Sequence, residues 1–203
     1  MWTNAGRDFG GLDVELLHPA CKLVMGTGDG GPEALDGSFQ GAMQLGMHAM
    51  AGTPSPLAHS FMLHFRSLEL NGLEIGELAM NCLTAGELGI PTIMLAGDYA
   101  GTQEALQLVP NMETVAVKHG FSSSGCVSLA PQRARQLIRE GAERAVRRLH
   151  EIKPFFIEPP YTLKVEYRAE KYAQDLVRRC PRARLLSSCS VELQADRLGD
   201  LMF

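Results

Sequence analysis

Short apolar runs alternate with longer stretches of helical periodicity along this chain, the pattern of an α/β fold. Residues 21–25 predict a strand closed by a turn-rich segment, 26–32, and residues 42–47 predict a second strand that ends at His48. Two strand patterns, 61–70 and 73–75, flank Asn71-Gly72. That pair is a strong hairpin signal, because a type I′ turn needs positive φ at both central positions. Residues 77–87 place Leu78, Cys82 and Ala85 at helical spacing; Gly89 stops this helix and Pro91 blocks its continuation. Residues 91–96 are almost continuously apolar, as in a strand buried on both faces. A helix over 99–108 and a strand over 112–117 follow.

The longest predicted helix spans residues 131–152, with Ala134, Leu137, Ile138, Ala145, Val146 and Leu149 on one stripe. Arg133, Arg135, Arg139, Arg144, Arg147 and Arg148 fill much of the remainder, which reads as a solvated face. Beyond the Pro159-Pro160 break, residues 161–167 alternate as a strand, a short helix runs to Arg179, and a last strand covers 185–193. The expected architecture is a largely parallel central sheet flanked by helices over residues 1–128, followed by a smaller C-terminal α+β layer over 129–203. The opening Trp2-Thr3-Asn4 reads as the end of a strand, so the chain is expected to lack an N-terminal segment and to expose a sheet edge that favours self-association.

Composition narrows the function classes. At 203 residues with 45% hydrophobic and 21% charged positions, the chain suits a globular protein with a real core. A net charge of −4, with no aromatics interleaved in the arginine run, argues against nucleic acid and anionic membranes as partners. No apolar run approaches the ~20 residues of a bilayer span, and the first residues lack the pattern of a signal peptide. Five widely spaced cysteines without a C-x-x-C pair indicate reduced thiols and a cytoplasmic setting.

Candidate chemistry gathers near the second strand. His48 sits at its carboxyl end, where α/β folds collect ligand-binding groups. His59 follows in Ala58-His59-Ser60, and Glu77 opens a helix whose dipole favours a carboxylate. Imidazole nitrogen and carboxylate oxygen are a normal zinc donor set, although a strand-end histidine and a first-turn glutamate also have simple structural explanations. The glycine cluster Gly26-Thr27-Gly28-Asp29-Gly30-Gly31 lacks the following helix that a dinucleotide fingerprint needs, and there is no G-x-S-x-G elbow of a serine hydrolase.

Several short motifs recur together: Leu17-His18-Pro19, Gly46-Met47-His48-Ala49, Gly52-Thr53-Pro54, His59-Ser60, Asn71-Gly72, Gly76-Glu77-Leu78, Asn81, Ala96-Gly97-Asp98 and Val117-Lys118. In this order and spacing the chain resembles the zinc-dependent D-aminopeptidases that assemble into self-compartmentalising rings. The resemblance implies a binuclear zinc site, short peptides with N-terminal D-residues as substrates, and a homo-oligomer. It makes His48 and Glu77 metal ligands and His59 a catalytic residue.

The family's Asp-x-Glu pair is expected upstream of this chain, and its further ligand histidine falls on Gly6, with Asp8 the nearest stand-in. Asp13-Val14-Glu15 lies in a non-ligand segment of the family pattern. Two expectations follow, an active metallopeptidase with weakly held zinc or a non-catalytic member that keeps fold and assembly surfaces.

Overall fold

The computed structural model describes residues 13–22 and 35–201. The strand expected at 21–25, the glycine cluster, Gly6 and Asp8 lie wholly or largely outside the described residues. The chain divides into two compact units, Met1–Asp36 and Gly37–Phe203. In the first, Val14–Leu16 form a 3₁₀ turn in which Asp13 Oδ1 accepts from the Glu15 amide at 3.2 Å. His18 Nδ1 accepts from Ala20 N at 3.1 Å.

The second unit begins with β1 (Ala42–Met47), β2 (Phe65–Leu70), β3 (Leu73–Glu74), α1 (Glu77–Glu87) and β4 (Thr92–Asp98). It continues with α2 (Tyr99–Leu108), β5 (Glu113–Gly120), β6 (Cys126–Ser128) and α3 (Pro131–Arg147). It closes with β7 (Tyr161–Tyr167), α4 (Glu170–Arg179), β8 (Arg184–Leu185) and β9 (Ser190–Ala195). A four-stranded sheet has the order β1-β4-β5-β6, parallel except for the last pair. A five-stranded antiparallel sheet has the order β3-β2-β7-β9-β8. The expected largely parallel sheet with flanking helices and a second α+β layer is therefore present. The second sheet also takes in the β2–β3 hairpin, so its strands come from both sides of residue 128.

Local chemistry explains most of the elements. All seven residues of β4 are buried, as its apolar run requires of a central parallel strand. In β7 the core-facing Tyr161, Leu163, Val165 and Tyr167 alternate with Thr162, Lys164 and Glu166, and Lys164 pairs with Glu69 at 2.9 Å on the outer face. Asn71 and Gly72 both have positive φ, 48° and 86°, as the hairpin signal demands. Asn71 also ties its turn to the neighbouring loop, accepting from Thr162 N at 2.7 Å and donating to Pro160 O at 3.1 Å. Helix α1 ends in a Schellman arrangement: Ile90 N donates to Ala85 O and Gly89 N to Gly86 O, with Gly89 at φ 74°.

Four details depart from the sequence pattern. Strand β2 starts at Phe65, because Phe61 adopts φ 56° and the segment before it is a loop. The short β6 was not expected; it returns along β5 after a turn in which Phe121 N bonds Gly125 O. The strand expected at 185–193 is two strands, split where Ser187 Oγ accepts from the Cys189 and Ser190 amides. Helix α3 stops at Arg147, a 3₁₀ turn Leu149–Glu151 follows, and Val146 lies exposed off the apolar stripe. Its arginines are exposed, the following Arg148 is half-buried, and Arg144 and Arg148 pair with Glu113.

Two apolar clusters share α1. Leu78 and Cys82 pack with Ile93, Met94, Leu95 and Ala96 of the parallel sheet. Ala79, Met80 and Leu83 pack with Leu70, Leu163, Val165 and Leu193 of the antiparallel sheet. With apolar groups on both sides, α1 is the layer between the sheets. Its fit is tight at Gly86, where a Cβ would meet Phe155 O at 1.8 Å. Gly86→Ala should therefore lower the unfolding free energy by roughly 1–3 kcal/mol or more, read by urea denaturation; an unchanged midpoint would contradict this packing.

Candidate metal centre

Strand β1 delivers His48. Its register against β4 shifts between Leu45 and Met47, and Met47 then faces Gly97. A Cβ on Gly97 would lie 2.0 Å from Met47 O, so only glycine allows this approach at the strand end. Helix α1 delivers Glu77 at its first position, close to the positive end of the helix dipole.

The two elements are registered by a buried amide. Gln44 Nε2 donates to Leu78 O at 3.1 Å and to Cys82 Sγ at 3.3 Å, and Gln44 Oε1 accepts from Asn81 Nδ2 at 3.1 Å. Gln44 lies on β1 four residues before His48, and Leu78 follows Glu77. This network thereby sets the spacing of the two site residues.

His59 arrives on the loop between β1 and β2. The loop holds two non-glycine residues in the left-handed region, Leu57 at φ 59° and Phe61 at φ 56°, one on each side of His59. Such conformations cost on the order of 1–3 kcal/mol each and collect at functional sites. The Phe61 amide donates to Glu77 Oε1 at 2.6 Å, so the strained turn is fastened to the carboxylate.

His48, His59 and Glu77 form one group whose ligand atoms all lie within 4.8 Å of one another. His48 Nε2 is 3.6 Å from Glu77 Oε2, and His59 Nε2 is 3.8 Å from Glu77 Oε1. The imidazole rings stack with centroids 3.9 Å apart and planes 20° apart. A carbonyl oxygen can only accept, so the contacts of His48 Nδ1 with Ala49 O (3.1 Å) and His59 Nδ1 with Leu57 O (2.6 Å) put hydrogen on both Nδ1 atoms. In the neutral tautomers both Nε2 lone pairs then face the shared carboxylate. That is the arrangement in which metal-bound histidines are usually oriented.

The electrostatics match. The hydrogen bond to Glu77 raises the His48 pKa, with burial opposing it. Burial pushes the Glu77 carboxyl up, but its bonds to His48 and to the Phe61 amide outweigh this and hold it below its ordinary value. A carboxylate that stays charged between two imidazoles is a donor set suited to zinc. All three residues singled out in the sequence are therefore brought together. Among the motif residues, Asp98 is buried behind the cluster and Lys118 stands opposite it in the β4–β5 register.

Two supporting groups carried no signal of their own, Glu104 and the Phe61 amide, while Ser60 stood out only as part of the His59-Ser60 motif. Glu104 in particular reads as an ordinary helix glutamate until α2 is placed against the segment after His48.

Comparison with known proteins adds an independent line. A family model described as D-aminopeptidase matches residues 5–202. A D-aminopeptidase of Bacillus subtilis (strain 168) is 37% identical over 160 residues, a stretch that makes up 77% of this chain and 58% of that protein. The chain thus matches less than two thirds of the relative's length. Among solved structures, the chain is similar to the "Zn-dependent D-aminopeptidase DppA from Bacillus subtilis, a self-compartmentalizing protease", with a TM-score of 0.85 and 32% identity. That likeness covers 93% of this chain and 69% of the other.

The cluster's surroundings make a prediction of their own. Burial pushes the Glu104 carboxyl from an ordinary 4.5 up to about 7; the Met50 amide opposes this and Asp98 adds to it. Ionisation is then easier in the unfolded chain, so stability is lost as pH rises from about 4.5 through about 7. Over that interval, the metal-free Glu104→Gln variant should gain on the order of 2–3 kcal/mol relative to the unsubstituted chain in urea denaturation. A gap that does not change with pH would rule this out.

Proposed function

Since the chain belongs to the D-aminopeptidase family, we propose that it is a zinc-dependent aminopeptidase releasing N-terminal D-residues from short peptides such as D-alanyl dipeptides. The observation that supports this reading best is the convergence of two Nε2 atoms and a charged carboxylate within 4.8 Å. The three come from a strand end, a strained loop and a helix N-terminus.

His48 and Glu77 are the residues that hold zinc in this reading. Zinc there supplies a Lewis acid that polarises the scissile carbonyl and makes water nucleophilic near neutral pH. Glu77 keeps its negative charge for this task through its contacts with His48 and the Phe61 amide. His59 is the most exposed of the three, its side chain 29% accessible against 19% for His48 and 22% for Glu77. It therefore meets the substrate. With its Nδ1 hydrogen fixed on Leu57 O, its Nε2 can take a proton from the attacking water and return one to the leaving amine. A second zinc ion, as the family resemblance implies, requires donors beyond these three.

We extend the proposal to a homo-oligomer in the cytoplasm. Among the described residues the outer edge of β1 carries no partner strand, and Met43 and Leu45 on it are exposed. All five cysteines are free, which suits a reducing compartment. None of the described helices is long and apolar enough to cross a membrane.

The decisive measurement is zinc content after dialysis against trace zinc, followed by hydrolysis of D-alanyl and L-alanyl peptides. Retained zinc and D-specific hydrolysis are expected. His48→Ala and Glu77→Ala should lose both, while His59→Ala should keep zinc and lose about 10²–10⁴-fold in kcat. A folded, zinc-free and inactive chain would instead identify a non-catalytic family member.

A further inference from the structure

Three consecutive backbone amides follow His48, and each is bound by a different buried side chain. Asp98, at the end of β4, accepts from Ala49 N through Oδ2 at 3.1 Å. Its other oxygen accepts from Gly101 N at 2.6 Å and caps α2. Glu104, on α2, accepts from Met50 N through Oε2 at 3.0 Å. Ser60, next to His59, accepts from Ala51 N through Oγ at 3.1 Å.

The carbonyl of Ala49 completes the arrangement. It accepts the His48 ring N–H at 3.1 Å and the His59 backbone N–H at 3.3 Å. The peptide groups around Ala49 therefore connect both histidines, and every handle on them is held from outside the segment.

A purely structural turn does not need this. Buried amides in a regular turn are satisfied by backbone carbonyls, whereas two carboxyl groups placed near each other inside a protein resist desolvation. Asp98 and Glu104 are the buried acidic residues of the described structure, and both are directed at the residues that follow His48. Glu104 Oε1 has no partner at all, so this carboxyl sits where its own hydrogen bonding is incomplete. Gly76, beside Glu77, lets the same segment pack closely, since a Cβ there would fall 2.6 Å from Met50 Cβ.

We propose that Asp98, Glu104 and Ser60 are positioning residues of the metal site, which fix His48 and His59 relative to each other by holding the amides of residues 49–51. The proposal rests on the metal-binding reading above for its consequence, but its geometry stands without a metal. Glu104 acts as an acceptor for Met50 N; a neutral amide can do the same, a hydrocarbon cannot.

The test uses the full chain and two readouts: amide hydrogen exchange at residues 49–51 without metal, and zinc affinity by competition with a chromophoric chelator. Glu104→Leu should speed exchange at 49–51 and weaken zinc binding about 10–100-fold, the usual cost of losing a group that orients a ligand. Glu104→Gln should restore both. Leu176→Ala, which opens a cavity under α4, an element that carries no site residue, should keep the original zinc affinity, which separates positioning from general loss of stability. If Glu104→Leu does not fold by circular dichroism, Ser60→Ala carries the same expectation through Ala51 N.

Unchanged exchange and affinity in the Leu and Ala variants, or a Gln variant as impaired as Leu, would overturn the proposal. A chain that binds no zinc at all would sink the metal reading, and the exchange data would still decide the positioning role.

Discussion

The structure depends on burying α1 on two sides at once. Leu78 and Cys82 belong to the core of the parallel sheet, and Ala79, Met80 and Leu83 to that of the antiparallel sheet. A helix packed in this way cannot slide along either partner without opening a cavity in the other. Glu77 inherits that rigidity, because it stands on the first turn of the same helix. The Gln44 amide extends the constraint to β1, so the strand carrying His48 is keyed to the helix carrying Glu77.

The site contrasts with this rigid support. Two imidazoles stack on each other around one carboxylate, and His59 is held by a loop with left-handed residues on either side. Without a cation, the carboxylate is anchored by the Phe61 amide and stands within ion-pair distance of both imidazoles, and the His48 proton is held more firmly than usual. A bound cation would compete with that proton for the same lone pairs, so metal uptake and proton release are coupled here. The fold provides the placement, and the loop provides the most exposed of the three side chains.

Much of this was legible in the chain. The extent of α1, the burial of β4 and the Asn71-Gly72 turn follow from local patterns that tertiary contacts only reinforce. His48, His59 and Glu77 could be named mainly because the surrounding motifs resemble a known family, since a strand-end histidine and a first-turn glutamate are a weak signal by themselves. The rest was not readable, for physical reasons. The pairing of β2 with β7 joins residues distant in sequence, and no local pattern specifies it. The Ser187 turn that splits the last strand depends on one hydroxyl taking two amides. Glu104 looks like any exposed helix glutamate until the fold places it against Met50.

The pairing of β2 with β7 bears on how the protein is made. Leu68 lies opposite Val165, so the face of α1 that carries Ala79, Met80 and Leu83 is fully covered only when strands beyond residue 160 have joined the sheet. Contacts of such long sequence separation slow folding, because the intervening loop must be closed before they contribute. The residues of the site fall between 48 and 77, yet their geometry waits on strands more than eighty residues downstream. The arrangement of these three side chains therefore depends on residues beyond 160, and not on the segment 48–77 alone.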